Sequence, residues 1–150
     1  MADFIFNNFA YDLGLAVFDL GSDTLKLCLL TDAYTPDATD AVYGDLSGEV
    51  ANGNGYTTGG ASLSGKSWTK YNDQGILDAS DVSWTSATFT ARYAVLYDDT
   101  AATKPLIGLF DFLSNKSVTS GTFTVQFQAS GILVVDASGV TGSSTSTTTS

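Results

Sequence analysis

Residues Gly60 to Ser67 spell G-x-x-x-x-G-K-S, the spacing with which a P-loop wraps nucleotide phosphates. That chemistry needs a helix directly after the lysine, so that the amides of the helix N-terminus face the anion. The residues that follow, Trp68-Thr69-Lys70-Tyr71, favour a strand. No buried strand leads into residues 56–60. Upstream, Gly53-Asn54-Gly55-Tyr56-Thr57-Thr58-Gly59-Gly60 misses the dinucleotide spacing G-x-G-x-x-G by one residue. Both stretches read as glycine-rich turns feeding a strand, and no nucleotide or other cofactor is expected.

The other reactive residue types are few. The chain has no histidine, so Ser-His-Asp and Cys-His catalysis are excluded, along with the commonest general base at neutral pH. Its single cysteine, Cys28, can form no internal disulfide and no Cys–His metal site. Thr24-Leu25-Lys26-Leu27-Cys28-Leu29-Leu30 makes it a buried small hydrophobe. Of sixteen acidic residues only Glu49 is a glutamate, and no spacing singles out a carboxylate pair for glycoside hydrolysis. Asp37, Asp40 and Asp45 share one loop and have the oxygens calcium needs, but without EF-hand spacing they read as solvated turn residues. Asn115-Lys116-Ser117 matches a glycosylation sequon, which carries little weight without a secretory leader. The expectation is a protein that is not an enzyme, with no catalytic residue, no cofactor site and no metal site.

Charge narrows the partners. The net charge is −10, and Lys26, Lys66, Lys70, Arg92, Lys104 and Lys116 are scattered. Nucleic acid and anionic membranes both need clustered cations, so neither is expected as a partner. No apolar run reaches the roughly 18 residues that span a bilayer. Residues 1–20 are apolar but lack Lys and Arg, so they read as part of the fold rather than as a secretory signal.

The elements that would position these residues are mostly strands. Phe6, Phe9, Leu13, Val17 and Leu20 form one helical stripe, predicting a helix over 5–20, with Asn7 or Asn8 as cap and Gly21 as stop. Gly14 and the off-stripe Leu15, Ala16 and Phe18 leave a strand or hairpin as the alternative. Residues 24–31 form a strand apolar on both faces, with Leu25, Leu27 and Leu29 on one and Cys28 and Leu30 on the other. Such a strand is covered from both sides. Residues 32–60 are irregular, broken by short strands near 41–44 and 49–51. Alternating segments follow over 61–71 and 76–84, which hold Trp68 and Trp84. Over 87–98, Phe89, Ala91, Tyr93, Val95 and Tyr97 share a face; over 106–113, Leu106, Phe110 and Phe112 do. Over 122–129, Phe123, Val125 and Phe127 point inward. Ile132 to Val135 follows a bulge or turn at Gly131. The predicted fold is mainly β: an antiparallel β-sandwich, jelly roll or small barrel with one short N-terminal helix. One domain covers 1–136. Residues 137–150 form a flexible Ser/Thr/Gly tail, or an arm that orders against a neighbour.

Several segments resemble a family of small proteins encoded among the virion genes of tailed bacteriophages. They are Asp19-Leu20-Gly21-Ser22-Asp23-Thr24-Leu25-Lys26, Asn54-Gly55-Tyr56-Thr57-Thr58-Gly59-Gly60, residues 89–100 (FTARYAVLYDDT), Pro105-Leu106-Ile107-Gly108, and Phe123-Thr124-Val125-Gln126-Phe127 with Gly131-Ile132-Leu133. The likeness covers residues 4–135. It departs in the first helix, which lacks the family's basic or histidine residues, and in the Ser/Thr tail. The resemblance implies a structural component of the virion, foremost a capsid decoration (cement) protein, with a tail or head–tail component as the alternative. A glycan- or cell-surface-binding module is a further alternative, because exposed aromatics can serve as stacking platforms. The implied partners are the major capsid protein or other virion proteins and further copies of the chain, and the implied location is the virion, assembled in the bacterial cytoplasm. Phe4, Ile5, Phe6 and Phe9 carry more apolar surface than a short helix needs, and are the expected interface residues.

Overall fold

The computed structural model describes residues 3–136 and the backbone of 144–146. In chain order its elements are β1 (Phe4–Ile5), α1 (Asn7–Gly14), β2 (Leu25–Leu30), a 3-10 turn (Tyr43–Asp45), β3 (Ala61–Ser62), β4 (Ser67–Tyr71) and β5 (Gln74–Asp78). They continue with β6 (Val82–Asp98), β7 (Leu106–Val125), β8 (Leu133–Asp136) and β9 (Ser144–Ser146). Two antiparallel sheets result, one in the order β1-β7-β6-β2-β3 and one in the order β4-β5-β8-β9. Both are open, so the fold is sandwich-like rather than a barrel. The tail expected over 137–150 lies outside the described residues except for β9, which pairs with β8. No helix among the described residues is long and apolar enough to cross a membrane.

The two faces of β2 fall as its sequence requires. Leu25, Leu27 and Leu29 enter an inner core between the sheets, with Ala94, Leu96 and Phe110 from the first sheet and Leu77 and Leu133 from the second. Cys28 and Leu30 enter an outer core with Phe6, Tyr93, Val95, Tyr97, Leu106 and Leu109. Each fully buried leucine contributes about 2 kcal/mol of transfer free energy.

Two segments depart from the simple alternation. β6 changes face midway: Phe89 and Ala91 pack on the inner core, whereas Tyr93, Val95 and Tyr97 pack on the outer one. The register jumps there, from Ala91 opposite Lys116 to Tyr93 opposite Asp111. The surplus residues bulge from β7, where Leu113 takes a φ of 69° and stands exposed. Asp111 Oδ1 holds the bulge, accepting from Arg92 Nε at 3.1 Å and from the Leu113 amide at 2.7 Å. A bulge of this kind sends later side chains to the opposite face. The strands predicted over 106–113 and 122–129 fall on the two ends of one strand, β7, which stops at Val125. Phe110 and Phe112 share the inner core, but Leu106 lies in the outer one. Between the ends, the ribbon's exposed surface carries hydroxyl pairs such as Thr90–Ser117 at 2.7 Å.

The N-terminal helix is shorter than its stripe. Phe4–Ile5 pairs with Leu109 and Gly108 on the edge of β7, so this backbone is extended. The helix then runs only over Asn7–Gly14, capped by Phe6 without a side-chain bond, and the chain turns at Ala16 with a φ of 59°. Phe18 and Leu20 still reach the inner core from a non-helical segment.

From residues 31–60, Tyr34, Tyr43 and Leu46 cover the outer core, while Val50 and Tyr56 enter the inner one. The strands expected near 41–44 and 49–51 are reduced to isolated bridges, Val42 to Pro105 and Leu30 to Glu49. Glu49 organises this cover. Its Oε1 accepts from the Tyr43 hydroxyl, and its Oε2 accepts from the Tyr56 hydroxyl at 2.5 Å and the Gly59 amide at 2.7 Å. The Tyr56 oxygen also accepts from the Leu29 amide at 3.0 Å, and Tyr97 donates to the Gly59 carbonyl at 2.6 Å. Burial, the largest cause, pushes the phenols of Tyr43, Tyr56 and Tyr97 up, which keeps them as donors.

Two substitutions test these constraints. A Cβ on Gly60, whose φ is +84°, falls 2.0 Å from the Leu27 carbonyl oxygen, whereas one on Gly44 meets nothing within 4 Å. Gly60→Ala therefore costs more than about 2 kcal/mol in urea denaturation, and Gly44→Ala less than about 0.5 kcal/mol. Glu49→Ala strands the two phenols and the Gly59 amide, and costs about 3 kcal/mol by the same measurement. Glu49→Gln, which keeps an amide oxygen as acceptor, costs less.

Candidate functional site

The sequence-predicted residues are each committed to the fold. Lys66, the lysine of the P-loop spacing, donates to the carbonyls of Leu20 at 3.0 Å and Gly21 at 2.8 Å. Strand β4 begins at the next residue, so the helix that would cradle phosphates is replaced by a strand. Among the acidic-loop residues, Asp37 Oδ1 accepts from the Thr39 amide and hydroxyl, and Asp40 accepts from the Tyr34 hydroxyl at 2.7 Å. Asp45 Oδ2 accepts from the amides of Ala41 and Val42. These carboxylates close turns within the loop. No cluster of three or more potential metal ligands occurs among the described residues. Cys28 is fully buried, and burial pushes its thiol up, away from the reactive thiolate.

The expected interface residues divide. Phe6 is 1% exposed and Phe9 2% exposed, so their side chains fill the outer and inner cores of the chain itself. They are corrected from partner contacts to core residues, because β1 and α1 tuck them under the sheet. Phe4 and Ile5 are half-buried at the β1 edge.

Concave apolar surface lies instead around Trp68. Trp68 lines two clefts. One, of about 530 Å³, is lined also by Lys70, Asp73, Gln74, Gly75 and Val135. The other, of about 330 Å³, is lined by Leu13, Ala16, Phe18, Asp19 and Leu20. The larger lies within the size range of ligand pockets. Gly75 makes room for the ring: a Cβ there falls 2.4 Å from Trp68 Cζ2. Trp68 is 38% exposed, and Tyr71, three residues on along the same short strand, is 59% exposed. Gln74 is anchored by Asp136, whose Oδ2 accepts from its amide at 3.1 Å. An apolar wall with a lysine, an aspartate and an amide at its rim suits binding through shape and a few hydrogen bonds.

Sequence reasoning placed Trp68 in an alternating segment without singling it out, and named Glu49 without giving it a role. The usable signal for Trp68 is the polar company of the strand, Ser67, Thr69 and Lys70, which marks an edge. For Glu49 it is its standing as the one glutamate among sixteen acids, placed in a loop. No family model, curated protein or solved structure matches this chain.

Proposed function

We propose that the chain is a non-enzymatic structural protein of a bacteriophage particle, a decoration protein that cements the head by contacts with the major capsid protein. The resemblance noted in the sequence supports this reading. The observation that carries it is a set of large apolar side chains left on the surface of a chain whose own cores are closed: Tyr11, Leu15, Trp68, Tyr71 and Leu113. Such groups stabilise an assembly when a neighbour covers them. Repetition over many copies multiplies a modest contact energy through multivalency. The excess of acid and the scattered lysines favour protein partners over nucleic acid or anionic membrane.

The test is cryo-microscopy and protein quantification of purified particles from the phage encoding the chain. Density on the head exterior at fixed stoichiometry is expected, and absence from particles rejects the proposal. Density in the tail or connector supports the tail or head–tail alternative. Truncating residues 1–10 is a poor probe, since it removes β1, Phe6 and Phe9 from the fold. The combined change Trp68→Ser and Tyr71→Ser spares the buried core, and is expected to lower occupancy at least about tenfold, the equivalent of 1.4 kcal/mol per copy.

A second reading, a glycan- or cell-surface-binding module, is favoured by one observation, the indole-walled cleft beside Lys70 and Asp73. It predicts retention on a sugar array that Trp68→Ser abolishes.

A further inference from the structure

Asp98, the last residue of β6, is fully buried. Its Oδ1 accepts from the amides of Thr100 at 2.8 Å and Ala101 at 3.4 Å. Its Oδ2 is also buried, with no donor against it. β2 sets Leu25 opposite Asp98, so Asp23, two residues back on the same face, lies diagonally across from it, and its carboxyl acts on that of Asp98. Asp23 Oδ2 in turn accepts from the backbone amide of Asp19 at 2.9 Å, and Asp19 Oδ1 accepts from the Ser22 amide at 3.2 Å. The connection that holds Asp23 is tied to the β6–β7 turn at two more points. The Thr24 amide donates to Thr100 Oγ1 at 2.8 Å, and the Asp99 amide donates to the Thr24 carbonyl at 2.9 Å.

Among the described residues no cation forms an ion pair with either carboxyl. Lys26, at 3.5 Å, and Lys104 both face Asp99. Lys66 acts on Asp23, but its ammonium is bonded to the Leu20 and Gly21 carbonyls. A buried carboxyl beside a second carboxyl does not ionise cheaply, and a single proton between them gives Asp98 Oδ2 the donor bond it lacks.

We infer that Asp23 and Asp98 share one proton and form a latch on the wall of the Trp68 cleft, closed while the proton is held and loosened when it is lost. The connection to the cleft is direct. Asp19, whose amide Asp23 holds, lines the smaller cleft together with Leu20 and Trp68. Burial first, then Asp23, push the Asp98 carboxyl up to about 7, while the hydrogen bond from Asp98 holds Asp23 below the usual carboxylate range. In an unfolded chain Asp98 titrates near about 3.9. Its folded value is raised, so its stabilisation is fully present below pH about 3.9 and is lost as pH rises through about 7. The latch thus opens toward alkaline pH. It operates whichever partner fills the cleft.

NMR titration of the full chain from about pH 5 to pH 9 tests this. The Asp98 carboxyl carbon is expected to titrate with a midpoint near about 7, and the Trp68 indole N–H signal to move with the same midpoint. Trp84, buried in the inner core, serves as the unmoved reference. Asp98→Asn is expected to abolish the Trp68 movement. Asp23→Asn, which relieves the same contact from the more exposed side, is expected to do likewise and covers the case that the first variant fails to fold. An Asp98 midpoint below about 5, the ordinary carboxylate range, overturns the inference. So does a Trp68 signal that stays still while Asp98 titrates. Suppression of both titrations by millimolar calcium also overturns it, since a metal rather than a proton would then bridge the pair.

Discussion

Leu27 and Cys28 are neighbours in one strand and neither has any exposed surface. Successive side chains of a strand point to opposite faces, so the first sheet must be covered twice. One cover is ordinary: a second sheet packs over Leu25, Leu27 and Leu29. The other is made from irregular chain, which is harder to bury, because each of its amides and carbonyls needs a partner. Glu49 resolves much of this difficulty. The carboxylate gathers two phenols and an amide, and the next residue continues the pairing, with the Val50 amide donating to the Leu29 carbonyl at 3.0 Å. An aspartate carboxylate sits one carbon closer to its backbone and would not reach the same donors without moving that bridge. The glycine-rich run owes its form to the same constraint. Gly60 passes so close to β2 that no side chain fits, and Gly59 lends its amide to Glu49 and its carbonyl to Tyr97. A stretch that spells a phosphate loop is therefore the hinge by which the outer cover meets its strand.

This dependence explains what the amino-acid pattern disclosed. The two faces of β2 were legible because each follows a strict period of two over six residues. The β-rich, antiparallel class was legible from the same periodicity. The change of face within β6 was not, because Phe89, Ala91, Tyr93, Val95 and Tyr97 keep a period of two throughout and the surplus residues lie on the partner strand. The middle of β7 was illegible for a different reason. Its Ser and Thr side chains satisfy one another across an exposed ribbon and leave no apolar alternation. The helix was overcalled because its stripe is genuine: Phe6, Phe9 and Leu20 are all buried, but from a strand edge, a helix and a loop in turn. Burial fixed the pattern, and β7's unpaired edge decided the backbone. Of the candidate site, the sequence held only the residue types. Trp68 and Trp84 both sit in alternating segments. Position in the sheet separates them, since β4 is an edge and β6 is central.

Edge position also bears on what the Trp68 clefts are for. Single exposed apolar side chains are ordinary on any protein surface. Trp68 is more than that: it stands on an edge strand and lines two clefts, while Tyr71 adds exposed surface on the strand's other face. The ring is also located rather than merely left outside. Gly75 leaves the space that the indole occupies, and Lys66 fixes the Leu20–Gly21 backbone that borders it. A preorganised aromatic loses little conformational entropy when a partner closes over it, which is how one side chain comes to dominate an interface. The same backbone is where the Asp23–Asp98 pair acts. A buried acid such as Asp98 costs stability that a hydrophobic residue of similar size would not. Its position, between the wall of the cleft and the turn that joins the two longest strands, makes the cleft the part of the surface best able to respond to that pair.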